Sequence, residues 1–257
     1  MKSAVLSLFA ALSLGTALNA ADLGGATLKV GSDTTSPPME FVDPATGAIV
    51  GFDVDVVNAI CEKINCKAEF VTTGWDGIFT ALQEGQFDLV ASGVSITEER
   101  LQVMDFSEPY IVNGQAILVR AADAALTVDD FKSGAHKLSA QANTTDAATA
   151  EEIAGKDNVQ AYDTFNGSVL ALRNGDVDGV VINGANAGAY EAEFAGELVV
   201  TIRDLKADPL GLVFQKGSDK VAAFNEGLAA IKADGTLDKL VGKYWTCLLY
   251  TSDAADE

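Results

Sequence analysis

Short apolar runs that read as strands alternate with segments of helical period, and this alternation constrains the fold more than any other feature. TLKVGSD (27–33) reads as a strand entering a turn at Ser36-Pro37-Pro38, and IVGFDVDVVNAICEKI gives a helix after Gly51 with Val56, Val57, Ile60 and Ile64 on one stripe. KAEFVTT is a strand, WDGIFTALQEG a helix closed by Gly85, and FDLVAS another strand. This order predicts an α/β fold with a mostly parallel sheet, whose binding groups gather at the carboxyl ends of the strands. After QAILVR the pattern restarts over roughly residues 120–204, with strands at HKLSAQ, VQAYD, DVDGVVIN and ELVVTI and helices between them. LGLVFQK then returns as a strand. Two helices follow, one with Val221, Phe224, Leu228 and Ile231 inward, the other with Leu237, Leu240, Val241 and Tyr244. The second unit does not resume the first. The expectation is therefore a first lobe over residues 21–118, a second inserted over 119–206, and a return to the first over 207–246. Strand-like crossings are expected near 116–120 and 205–214, and two lobes joined in this way hinge about a cleft.

One strand end stands out. In ASGVSITEER (91–100), Ser95 with Glu98 three residues on has the form of a capping box, which predicts a helix start with free N–H groups beside Arg100. That arrangement suits an anion. The plainer reading is a strand–turn–helix with a capped end and a surface arginine.

The ends of the chain stand apart from this pattern. Residues 1–20, MKSAVLSLFAALSLGTALNA, carry one early lysine, an apolar run and a small residue at Ala20, as a secretory signal peptide does. The first cysteine after it is Cys61, so a free periplasmic protein without a lipid anchor is expected. At the other end, CLLYTSDAADE (247–257) resembles the translation of a transposon-end sequencing adapter and is read as a foreign tail after a helix ending at Tyr244 and Trp245. Within the remaining chain the cysteines are Cys61 and Cys66, in CEKINC. In an oxidising compartment a disulfide pinning a helix end to the next turn is the favoured reading. A metal or redox role is disfavoured, because the spacing is not CxxC and the single histidine, His136, is distant in sequence. A formal net charge of −20 repels nucleic acid and anionic lipid. No stretch of about 18 or more apolar residues follows the leader, so no fused membrane receptor segment is expected.

GSDTTSPPMEF, GFDVDVVNAI, WDGIFTALQEGQFDLVASGVSITEER and MDFSEPY resemble the type-3 periplasmic solute-binding proteins, which serve polar amino-acid uptake by ABC transporters. QANTTD, GDVDGVVIN and NEGLAAIKADGTLDKL extend the resemblance from about Leu28 to Trp245. It implies the two-lobe type II periplasmic-binding-protein fold with a two-strand hinge, no cofactor, a monomer, and an inner-membrane ABC permease as partner. It also assigns roles. Arg100 grips a ligand α-carboxylate by two parallel bonds, with Ser95 helping from the same turn. From the facing lobe the helix start at Asn143-Thr144-Thr145-Asp146 reaches the same carboxylate, although simple capping accounts for either threonine alone. Trp75 forms a wall against the ligand side chain, or else a core residue. Asp33 sits beside that side chain, or else caps the Pro-Pro turn. Ser92 and the backbone of Gly93 accept from an α-ammonium, while Phe106 and Tyr110 pack. Asp176 and Asp178 stay in a surface turn.

Two departures mark the pocket. The family's aromatic before the turn proline is Ser36 here, and the aspartate that meets the α-ammonium is Asn183. Such a change costs about 1–3 kcal/mol unless Asp33 or backbone carbonyls compensate. These two positions select the ligand, so its identity stays open. Two other classes of function share the scaffold: a periplasmic enzyme similar to cyclohexadienyl dehydratase, and a sensor presenting its loaded lobe to a receptor. The enzyme needs a positioned acid in the cleft, for which Glu40 and Glu108 are the candidates.

Overall fold

The structure, a computed structural model, describes residues 21–249, with side chains through Trp245. The expected leader (1–20) and residues 250–257 of the expected tail lie outside the described residues. Helix Phe52–Ile64 places Val56, Val57, Ile60 and Ile64 in complete burial. They pack against Phe224, Leu228 and Ile231 of helix Lys220–Ala233. Fully burying each such side chain contributes about 1.5–3 kcal/mol, so this pair of helices anchors the first lobe. A disulfide between Cys61 and Cys66 ties the end of helix Phe52–Ile64 to strand Cys66–Thr72.

The first sheet runs Cys66–Thr72, Ala26–Ser32, Leu89–Val90, Val213–Gln215, Met104–Phe106. The first three strands are parallel, and the last two pairings are antiparallel. The second sheet has the same division: Val159–Tyr162, Leu138–Gln141 and Gly179–Asn183 are parallel, then Ile111–Arg120 and Leu198–Ile202 are antiparallel. The parallel sheet predicted by the β/α alternation thus accounts for three strands of each lobe. The strands that carry the chain between lobes enter the opposite way.

The first crossing lies earlier than the sequence suggested, and the second falls within its expected range. Ile111–Gly114 pairs with Ala207–Leu210 as an antiparallel ribbon. From Gln115 onward the long strand already belongs to the second sheet, with Ala116–Val119 buried. The last helix, Thr236–Leu249, continues past the expected stop at Tyr244 and Trp245, because no Gly or Pro follows to end it. Among the described residues no helix is long and apolar enough to cross a membrane.

Candidate functional site

All ten residues singled out in the sequence line one cleft of about 400 Å³ between the lobes: Asp33, Ser36, Trp75, Ser92, Gly93 and Ser95, with Arg100, Thr144, Thr145 and Asn183. Six others join them, of which Glu40, Gln141, Asp146 and Asn186 matter most to the chemistry.

The turn around Ser95 differs from the capping box read in the sequence. Thr97 caps the short helix Glu98–Val103, its hydroxyl accepting from the Arg100 backbone N–H at 3.2 Å. Ser95 is held out of the cap because it forms a bridge with Leu210 of the returning strand. Its hydroxyl donates to Asp208 Oδ2 at 2.8 Å, and its carbonyl accepts from Arg100 Nη1 at 3.0 Å. The positive charge here therefore belongs to the guanidinium rather than to a helix end. Arg100 lies over Trp75 and Phe79, 5.6 and 5.2 Å from their ring centroids. Such contacts fix a planar cation without using up its donors. Burial draws its pKa down, and Asp208, Glu99 and Asp146 oppose that.

From the second lobe, helix Thr145–Ala154 points its start at the same place. Thr144 is the cap: its hydroxyl accepts from Ala147 N at 3.1 Å and donates to the Gln141 carbonyl at 2.7 Å. That engages Thr144 in the backbone and leaves Thr145 facing the cleft, its Oγ1 2.9 Å from Ser95 Oγ. Behind it, burial and then Asp208 push Asp146 up to about 8. Asp208 is itself raised by burial, against which the Ser95 hydrogen bond and Arg100 act.

Further bonds cross between the lobes, among them one from Asn186 Nδ2 to the Pro37 carbonyl at 2.7 Å. Trp75 Nε1 donates to the Asn143 carbonyl at 3.2 Å, and Gln141 Nε2 to Asp33 Oδ2 at 2.8 Å. Asn186 Nδ2 donates to Ser36 Oγ at 2.9 Å. Ser36, where the sequence resemblance implies a ring, thus contributes a polar link between the lobes. Trp75 is 8% exposed and meets Phe79 edge-on, so it belongs both to the core and to the cleft wall.

The floor of the cleft is acidic. Ser92 Oγ accepts from the Asp33 N–H and donates to Glu40 Oε1 at 3.0 Å. Glu40 is 1% exposed and Asp53 not exposed at all. Asp53 Oδ2 accepts from Gly93 N at 2.7 Å and from the Tyr110 hydroxyl at 2.9 Å. Burial, then the Asp53 charge, holds Glu40 well above the usual carboxylate range; burial pushes Asp53 up to about 6 against its hydrogen bonds. Two such carboxyls in contact share a proton. Asn183 caps helix Gly184–Glu193 without a side-chain bond, and its Oδ1 meets no protein donor. Glu108 and Asp176 are exposed and outside the cleft; Asp178, half-buried and also outside it, pairs with Arg120. Among the described residues no cluster of His, Cys, Asp or Glu is placed to hold a metal ion.

Two α/β lobes joined by a two-strand ribbon, with a polar cleft closed between them, define the type II periplasmic-binding-protein fold. The chain belongs to the bacterial extracellular solute-binding proteins, family 3, whose sequence profile matches residues 28–246. It is 32% identical over 226 residues to the "probable histidine-binding protein" of Neisseria gonorrhoeae, covering 86% of this chain and 84% of that one. An ancestral arginine-binding protein bound to glutamine superposes with a TM-score of 0.79 at 36% identity, over 85% of this chain and 97% of its own. An ancestral amino acid-binding protein described as a precursor of cyclohexadienyl dehydratase superposes with a TM-score of 0.77 at 36% identity, over 85% and 95%.

Proposed function

We propose that the chain is a periplasmic carrier that closes on a small amino acid or related carboxylate and delivers it to an inner-membrane ABC importer, as a monomer and without catalysis. The observation that carries this reading is the convergence of Arg100 from one lobe and Thr145 from the other on one cleft. A carboxylate bound there bridges the lobes, so it binds the closed form better than the open one. Moving the population from 1:99 to 99:1 closed takes about 5.5 kcal/mol of differential binding. Two charge-assisted hydrogen bonds at about 3 kcal/mol each, or four at about 1.5 kcal/mol, suffice. The relatives named for histidine and arginine support an amino acid as ligand.

The test is thermal unfolding of residues 22–246 against amino acids, opines, polyamines and dicarboxylates. A ligand at 100 times its Kd adds about 2.7 kcal/mol to stability, which raises Tm by several degrees. No shift with any carboxylate sinks the proposal. A second reading draws on Glu40, because a buried, protonated carboxyl on a cleft wall is what general-acid chemistry needs. Turnover of prephenate or arogenate by the same protein would move the chain into the enzyme class.

A further inference from the structure

We propose that Glu40 is the residue that meets the ligand's ammonium group, exchanging the proton it shares with Asp53 for that cation. The inference rests on the reading of the ligand as an amino acid. An ammonium in a buried cleft needs a full negative charge beside it, and Asn183 supplies only a neutral carbonyl oxygen. Two carboxylates line the same floor. Both oxygens of Asp33 already accept from protein donors, Oδ1 from the Thr35 hydroxyl and Oδ2 from Gln141 Nε2, each at 2.8 Å. Glu40 accepts only from Ser92, and its Oε2, like Asp53 Oδ1, meets no N–H or O–H donor of the protein. Those two oxygens belong to neighbouring carboxyls that face each other in full burial, an arrangement stable only with a proton between them. Glu40 is the member that lines the cleft. Asp53 stands behind it, held by Gly93 and Tyr110.

Arrival of an ammonium supplies the positive charge that the proton supplied before. The proton leaves Glu40 for solvent and no ligand bond changes. The other charged groups facing this corner do not mimic the effect. Tyr110 keeps its proton, since burial and Asp53 raise it well above its ordinary value. On the opposite side a ligand carboxylate beside Arg100 raises Asp146 further, which takes protons up rather than releasing them.

The experiment uses whichever of the twenty amino acids gives the largest thermal shift. Calorimetric titration at pH 7 in phosphate and in Tris, whose ionisation enthalpies differ, counts the protons exchanged. The expected result is release of close to one proton per ligand, and a Kd that falls about tenfold per pH unit between pH 5.5 and 7.5. Glu40→Gln, which keeps the shape of the protonated side chain, should raise Kd about 10- to 100-fold and abolish both effects. Binding with no proton release and a flat pH profile overturns the proposal in favour of Asp33 and leaves the amino-acid reading intact. Undiminished release in Glu40→Gln overturns it as well. If none of the twenty binds, the amino-acid reading falls and takes this proposal with it.

Discussion

Arg100 is held by its surroundings before any ligand arrives, and that sets the consequences of removing it. The guanidinium rests on Trp75 and Phe79 and gives one bond to the Ser95 carbonyl. Arg100→Ala removes the carboxylate's charged partner and should raise Kd by at least about 100-fold. It also strips the positive charge that offsets Asp208 and Asp146, so a loss of about 1–2 kcal/mol in stability should accompany it. Calorimetry and urea unfolding on the same variant check both parts. Affinity that stays within a fewfold of wild type removes the clamp. Asn183 gives the complementary prediction. Asn183→Asp restores a charge on the second lobe and should tighten α-amino-acid binding by about tenfold or more, as read by the same titration. Unchanged or weaker binding would place the ammonium away from helix Gly184–Glu193.

At the scale of elements, the junction before helix Phe52–Ile64 couples the core to the cleft. Gly51 has φ 139° and ψ 179°, and a Cβ there would lie 2.2 Å from the Met39 carbonyl oxygen and 2.9 Å from the Glu40 Cα. The obstacle is backbone, so no rotamer relieves it. Gly51→Ala should cost about 2–4 kcal/mol and, by pushing residues 39–40, weaken ligand binding as well. A Tm within a degree of wild type would show that the turn yields freely. What was legible in the sequence follows the same division between local and distant contacts. Helix Phe52–Ile64 was readable from its stripe, and the cap at Thr144 from the residues beside it, because both depend on neighbours in the chain. The cap at Thr97 was misread as Ser95, since the bridge to Leu210 that occupies Ser95 comes from more than a hundred residues away. Asp208, Gln141 and Asn186 were missed for the same reason. Each is an ordinary polar residue in its own segment; Gln141 and Asn186 enter the cleft, and Asp208 reaches Ser95, only through strand pairing or lobe contact. The first crossing strand was placed late, because Ala116–Val119 reads as a strand wherever it begins, whereas the returning strand at Ala207–Leu210 falls within the range expected for it.

At the scale of the whole molecule, the buried acids make folding and binding respond to pH in opposite directions. Asp146 is pushed up to about 8, Asp53 to about 6, and Glu40 is raised as well. In the unfolded chain such groups titrate near pH 4. Between that value and the folded pKa the native state holds more protons than the unfolded one, so stability falls as pH rises. Each group contributes a slope of up to about 1.4 kcal/mol per pH unit within its own window, which for Asp146 runs from about pH 4 to about 8. Asp234, held below its usual value by Lys63 and Thr236, acts in the other direction only at the acid end, below pH 4. The stability maximum should therefore sit near pH 4, with a steady decline toward pH 8. Urea unfolding at pH 5, 6.5 and 8 measures this directly, and Asp146→Asn should flatten the slope because the amide keeps its place beside Gln115 without titrating. Stability that climbs from pH 5 to 8 would mean these carboxyls are solvated and ionised in the native protein. The predicted decline also bears on the ligand. Protons that stabilise the fold occupy the charges that hold an ammonium, so the chain should be most stable at the pH where it binds least tightly.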